Sequence, residues 1–141
     1  MKLVLDTHVL VSGLLWDGPP ARVLDRVDAG LDRLFISRTL LMELADVLSR
    51  PKFIKVFQQF HEDPRDLIAA IAARAIVLEP KPLSSPVILA DPADDHVLAC
   101  ALTAEVDVII SGDEHLLGLS KIGAIPILTP AAYVRKQGRP L

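Results

Sequence analysis

Apolar positions along the chain fall into short continuous runs and longer stretches at helical spacing, and the two kinds alternate. Lys2–Leu5 is apolar and partly β-branched, and reads as a strand buried on both faces that ends at Asp6. Residues 34–36, 76–78 and 106–110, and Ile125–Leu128, read as four more strands. Pro126 inside the last of these argues for an edge position. Helical patterns lie between them: Thr7–Leu15, residues 21–29, and a helix capped by Ser37 that runs to about Arg50. Further helices are predicted over residues 53–60, from Asp63-Pro64, from Asp91-Pro92 to about Ala104, and over Glu114–Leu119. Residues 79–91 hold Pro80, Pro82 and Pro86 and read as a loop. No hairpin signal such as Asn-Gly is present. The alternation predicts an α/β fold of three layers, α/β/α, around a mostly parallel sheet of about five strands.

The chain has 141 residues, of which 51% are apolar, so it is long and apolar enough for one domain with a full core. Residues 1–134 are expected to form that domain, and residues 135–141 a basic, frayed tail. Fifteen Lys and Arg against 18 Asp and Glu give a net charge of −3. Such a chain is a poor nucleic-acid binder by basic charge alone, but suits a site whose positive charge comes from metal. No apolar run approaches the ~18–20 residues of a membrane span. The opening segment has an aspartate where a secretion signal would be apolar. A single cysteine, Cys100, excludes a disulfide framework and fits a reducing cytosol, so a cytoplasmic location is expected.

In parallel sheets ligands bind beyond the carboxyl ends of the strands. Asp6 follows the first apolar strand directly, and Asp113 follows the run ending at Ile110 closely. If those strands are neighbours, both carboxylates stand at one edge; each also suits the N-cap of the helix after it. Glu43 lies three residues after Leu40 and four before Val47, on the apolar face of its helix, where a carboxylate is costly unless paired or bound to metal. Asp91, Asp94 and Asp95 crowd one helix start, where the helix dipole favours negative charge. The helix wheel does not choose between Asp94 and Asp95. Carboxylates brought together repel one another and call for cations, and hard oxygen ligands select Mg²⁺ or Mn²⁺. An ion so held suits phosphoryl chemistry. Thr7 and Ser111 flank the acids as hydrogen-bonding hydroxyls.

Four stretches carry a family resemblance: Leu5-Asp6-Thr7; Glu43-Leu44-Ala45-Asp46-Val47-Leu48; Asp94-Asp95-His96-Val97-Leu98-Ala99; and Ile110-Ser111-Gly112-Asp113-Glu114. In this order and at these separations, the chain resembles PIN-domain ribonucleases of the kind found as toxins in toxin–antitoxin pairs. The resemblance implies metal-dependent hydrolysis of RNA phosphodiesters by an acid cluster. Carried over residue by residue, Asp6, Glu43, Asp95 and Asp113 take the four acid positions, catalytic and metal-holding. Asp94 is a substitute or addition at the third, and Ser111 takes the hydroxyl position two before the last. Mg or Mn as one or two ions, an RNA substrate, a small antitoxin and a homodimer are implied as well.

His8 departs from the Asn or Ser common after Asp-Thr in that family, and is expected to pack under the site. Arg22, Arg26, Lys52 and Lys55 are candidate phosphate contacts. His61 and His115 read as surface residues, His96 as unallied to any second histidine, and Cys100 as core filler. Two other readings compete. A phosphatase using Asp6 as nucleophile would need a second acid where His8 stands. An inactive binding module of the same fold would bear the same acids without turnover.

Overall fold

A computed structural model describes residues 1–81, 83 and 92–138. In chain order the elements are β1 (Lys2–Leu5), α1 (Thr7–Leu15), α2 (Pro19–Asp28), β2 (Arg33–Ser37), α3 (Arg38–Leu48), α4 (Pro51–Phe60), α5 (Pro64–Arg74) and β3 (Ala75–Leu78). They continue with α6 (Pro92–Ala104), β4 (Val108–Ile110), α7 (Glu114–Leu119), β5 (Lys121–Ile122), β6 (Ile125–Leu128) and α8 (Pro130–Gln137). The strands form one sheet in the order β3-β2-β1-β4-β6-β5, with helices on both faces. Every pairing is parallel except β5 with β6. This is the α/β/α architecture that the alternating pattern predicts.

The centre of the sheet is built from the most continuous apolar runs. Leu3, Val4 and Leu5 pair with Val108, Ile109 and Ile110, and all six side chains are buried. A strand covered on both faces has no polar side, which is why these runs do not alternate. At the β3 edge, by contrast, Ile76 and Val77 remain exposed.

Helix starts follow the caps read from the sequence. Ser37 Oγ accepts from the Leu40 amide at 3.1 Å, and Asp63 from the Arg65 amide at 2.8 Å. Pro51 and Pro64 open α4 and α5, where a missing N–H costs nothing. The expected cap Asp91, and all of the expected loop but residues 79–81 and 83, lie outside the described residues.

The expected sheet of about five strands is met with one short addition, and three expectations are corrected. The sheet has six strands among the described residues: β5 is two residues long, too short to leave a periodic signal. It forms a two-residue hairpin with β6, and Gly123 supplies the positive φ of 58° that the turn requires. Pro126 therefore lies next to the edge, facing only this short strand. The strand expected over residues 106–110 begins at Val108, because the Val106 amide still closes α6 on Ala101 O and Asp107 clasps both polar backbone groups of Lys2. The tail expected to fray from Arg135 is helical through Gln137.

That last helix is anchored by a buried polar network. The Asp32 carboxylate accepts from the Tyr133 hydroxyl at 2.8 Å, from Arg26 Nε at 2.9 Å and from the α-amino group of Met1 at 3.0 Å. The Asp32 side chain has no exposed surface. Burial alone would raise its pKa, but the hydrogen bonds from Arg26, the α-amino group and Tyr133 together outweigh it and hold the carboxyl below its usual range. The folded protein therefore binds this proton more weakly than the unfolded chain does. The stabilisation is complete above the unfolded value of ~3.9 and is lost as pH falls through the depressed folded value. Asp32→Asn is expected to cost about 2–3 kcal/mol at neutral pH, since Arg26 keeps some contact with water. Urea unfolding should show the gap from wild type narrowing below pH ~4; a gap independent of pH would contradict this account.

Candidate active site

The parallel pairing of β1 with β4 brings Asp6 and Asp113 to one edge of the sheet. The Asp6 amide donates to Ile110 O at 3.1 Å, continuing the ladder by one residue. Chain direction then turns into a helix at both places, and each acid caps the helix that follows. Asp6 Oδ1 accepts from the Val9 amide at 2.8 Å, and Asp113 Oδ1 from the His115 amide at 2.8 Å. Ser111, fully buried, connects the two: its Oγ donates to Asp6 Oδ2 and accepts from the Asp113 amide at 2.9 Å.

Beside this pair opens a cavity of about 240 Å³ lined by Asp6, Thr7, His8, Glu43, Asp46, Val47, Arg50, Asp94, Val97 and Asp113. Five acids reach it from four separate parts of the fold: Asp6 at the end of β1, Glu43 and Asp46 on α3, Asp94 in the first turn of α6 and Asp113 in the turn after β4. Glu43 lies on the inner face of α3 with Leu40 and Val47, as its spacing predicts. Its Oε1 meets His96 Nδ1, while Oε2 is buried with no hydrogen-bond partner. His96, set aside in the sequence reading, is thus the neighbour of a site acid. Of the two acids between which the helix wheel does not choose, Asp94 is 6% exposed and lines the cavity, whereas Asp95 is half-buried and outside the lining. Successive helical residues diverge by about 100°, so one first turn cannot aim both inward.

Asp6 is 4% exposed. Burial pushes its carboxyl above the ordinary value; the Ser111 and Val9 hydrogen bonds and the nearby His8 pull it back only in part, and Asp113 adds to the rise. The anionic form of Asp6 is short of positive charge.

Other expectations shift. His8 is exposed and lines the cavity instead of packing beneath it. Arg26 is committed to Asp32, and Arg22 pairs with Asp25 at 3.8 Å, so neither basic residue lines the cavity. Asp46 and Arg50, missed in the sequence, do line it, and stand 3.8 Å apart one turn from each other. Their signal was present: positions 43, 46, 47 and 50 follow the i, i+3, i+4, i+7 rule of one helix face. His61 and His115 are exposed as expected. Cys100 is buried, and burial pushes its thiol up to about 11, which suits packing and not reactivity.

The donor set fits a hard divalent cation. Five carboxylates share the cavity, that of Glu43 carries a buried unpartnered oxygen, and no thiolate is among them. Among the described residues no three of these side chains already close on one point as ligands. Hydrogen bonds to Ser111 and the helix-end amides occupy several of their oxygens. Mg²⁺ is commonly held by one or two carboxylates with water completing its shell, so a ready-made protein cage is not required.

The chain matches the family model of the PIN domain over residues 2–115. No curated protein matches it. PIN domains are generally nucleases that use divalent metal ions. The matched span includes all five acids of the cavity, from Asp6 to Asp113. The chain belongs to the PIN-domain family.

Proposed function

We propose that this PIN-domain protein is a Mg²⁺- or Mn²⁺-dependent endoribonuclease and the toxin of a toxin–antitoxin pair. One observation carries the nuclease reading: four carboxylates from distant parts of a PIN domain line one cavity at the carboxyl edge of its sheet. Asp6, Glu43, Asp94 and Asp113 would hold the ion or ions, with Asp94 in the position that the motif alone gives to Asp95. A bound divalent ion supplies the positive charge that acidifies an attacking water and neutralises the phosphodiester.

The chain's own groups have distinct tasks in this reading. Ser111 is a positioning residue: it fixes the Asp6 carboxylate and the Asp113 backbone relative to each other. His96 fixes one oxygen of Glu43 and leaves the other directed to the site. Thr7 lines the cavity as a hydroxyl beside Asp6, and Arg50 offers a cation to a phosphate there. The toxin role, a small antitoxin, a homodimer and a cytoplasmic location rest on the four motifs' likeness to PIN-domain toxins. No helix among the described residues is long and apolar enough to cross a membrane.

Asp6→Asn is expected to lower cleavage of single-stranded RNA by about a hundredfold or more, and excess EDTA to do the same to wild type. Cleavage that survives either change would overturn the mechanism. In EDTA the same variant should unfold at or above the wild-type temperature. The folded state holds the Asp6 proton more tightly than the unfolded chain, so this group's contribution to stability falls as pH rises from ~3.9 through the raised folded value. Asparagine removes the charge and still caps α1.

Metal binding is separable from turnover. Mn²⁺ at about 100 times its dissociation constant should stabilise wild type by about 2.7 kcal/mol, seen as a rise in unfolding temperature. Asp95→Asn should keep that rise; Asp6→Asn and Asp94→Asn should lose most of it. A rise lost with Asp95→Asn and kept with Asp94→Asn would reverse the assignment of the third acid.

A further inference from the structure

An acidic chain with an acidic cavity must still attract an acidic polymer. Its arginines are largely committed: Arg22, Arg26, Arg38, Arg50, Arg65 and Arg74 each face an acid. Lys52 and Lys55, one turn apart on α4, have no ion-pair partner among the described residues. They follow Arg50 directly, and Arg50 lines the cavity. Its carbonyl also accepts from the Phe53 amide at 2.9 Å, so the first turn of α4 is fastened to the cavity rim.

The one tryptophan of the chain stands at the same place. Trp16 ends α1, whose other end carries Asp6, and it is 48% exposed. Its ring lies 6.5 Å from that of Phe53, centroid to centroid, tilted by 48°. Lys52 Nζ sits 4.9 Å from the centroid of the same Phe53 ring. Phe53 is buried, so it serves as a fixed base on which a half-exposed indole and an ammonium are both seated. Aromatic side chains beside unpaired cations are the recurrent means of holding single strands: bases stack on the ring and phosphates meet the charge.

We propose that Trp16 and Lys52, seated on Phe53, form a nucleotide subsite for single-stranded RNA beside the acid cavity, with Arg50 joining the two. The inference rests on the nuclease reading above and adds the place where one base of the strand is held: a base must be free to leave its neighbours, which a duplex does not allow. Charge selects RNA over a protein partner as the occupant, since Lys52 and Lys55 have no ion-pair partner among the described residues and Arg50, which lines the cavity, caps the turn that carries Lys52 and Phe53.

Trp16 reports on its own occupancy. A short single-stranded oligoadenylate added to the Asp6→Asn protein should change Trp16 fluorescence, with affinity falling as salt rises. Labelled-oligonucleotide anisotropy should show Trp16→Leu and Lys52→Glu each weakening binding about tenfold or more. Lys121→Glu, the same charge change on β5, should have little effect. An RNA duplex should bind more weakly than the single strand. Circular dichroism melts check that the variants fold. If wild type cleaves RNA and the single strand binds, but fluorescence and both variants' affinities are unaltered, the subsite is wrong and the nuclease reading stands. If Trp16→Leu changes the sedimentation mass and leaves RNA affinity alone, the surface is a protein contact and the proposal falls. If wild type neither binds nor cleaves RNA, both readings fall together.

Discussion

The hydrogen bond from Ser111 to Asp6 joins two chain segments more than a hundred residues apart, and it exists only because β1 and β4 run parallel as neighbours. The Leu5–Ile110 register places the ends of both strands at one height. At that height each chain leaves the sheet for a helix, and each acid is spent first as a cap. Capping ties Asp6 Oδ1 and Asp113 Oδ1 to backbone amides, so the two carboxylates are oriented before any ligand arrives. The cap reading and the site reading of these acids are therefore one reading.

Two of the deeply buried acids, Asp6 and Asp32, shift in opposite directions. Asp32 meets a guanidinium, an α-amino group and a phenol, and its charge is held firmly. Asp6 meets a serine hydroxyl and a backbone amide, has another carboxylate nearby, and its charge is held poorly. Burial is common to both, so partner chemistry decides the sign. Asp32 is complete as folded and acts as a clasp for α8. Asp6 is incomplete as folded, and a cation is the kind of partner that would complete it. The unpartnered Oε2 of Glu43 in the same cavity points the same way.

Much of this was legible in residue order, because the physics that writes it there is local. Apolar runs mark strands that are covered on both faces, and Ser37, Asp63 and the prolines mark helix starts. Glu43 was legible because a carboxylate breaks an apolar stripe. Asp94 and Asp95 were not separable, since both border the stripe and only the seating of α6 against the sheet chooses between them. Arg26 was misjudged because its partner Asp32 lies beyond the helix that carries it. β5 was missed because two residues leave no period, and the contact of Trp16 with Phe53 left no trace in residue order because it spans separate helices.

The same locality explains why the site is acidic yet the fold survives it. Each acid is satisfied in part by something its own segment supplies: Asp6 by the first turn of α1, Asp113 by the first turn of α7, Asp94 by its place at the N-terminal end of α6. Glu43 sits in mid-helix, where no dipole or cap helps it, and it is the acid that reaches across to a histidine on another helix. Asp46, also in α3, is exposed and stands by Arg50. The repulsion among the five is thus divided over three helix N-termini and two side-chain pairs. What the fold does not neutralise is gathered in one cavity, next to Arg50 in its lining.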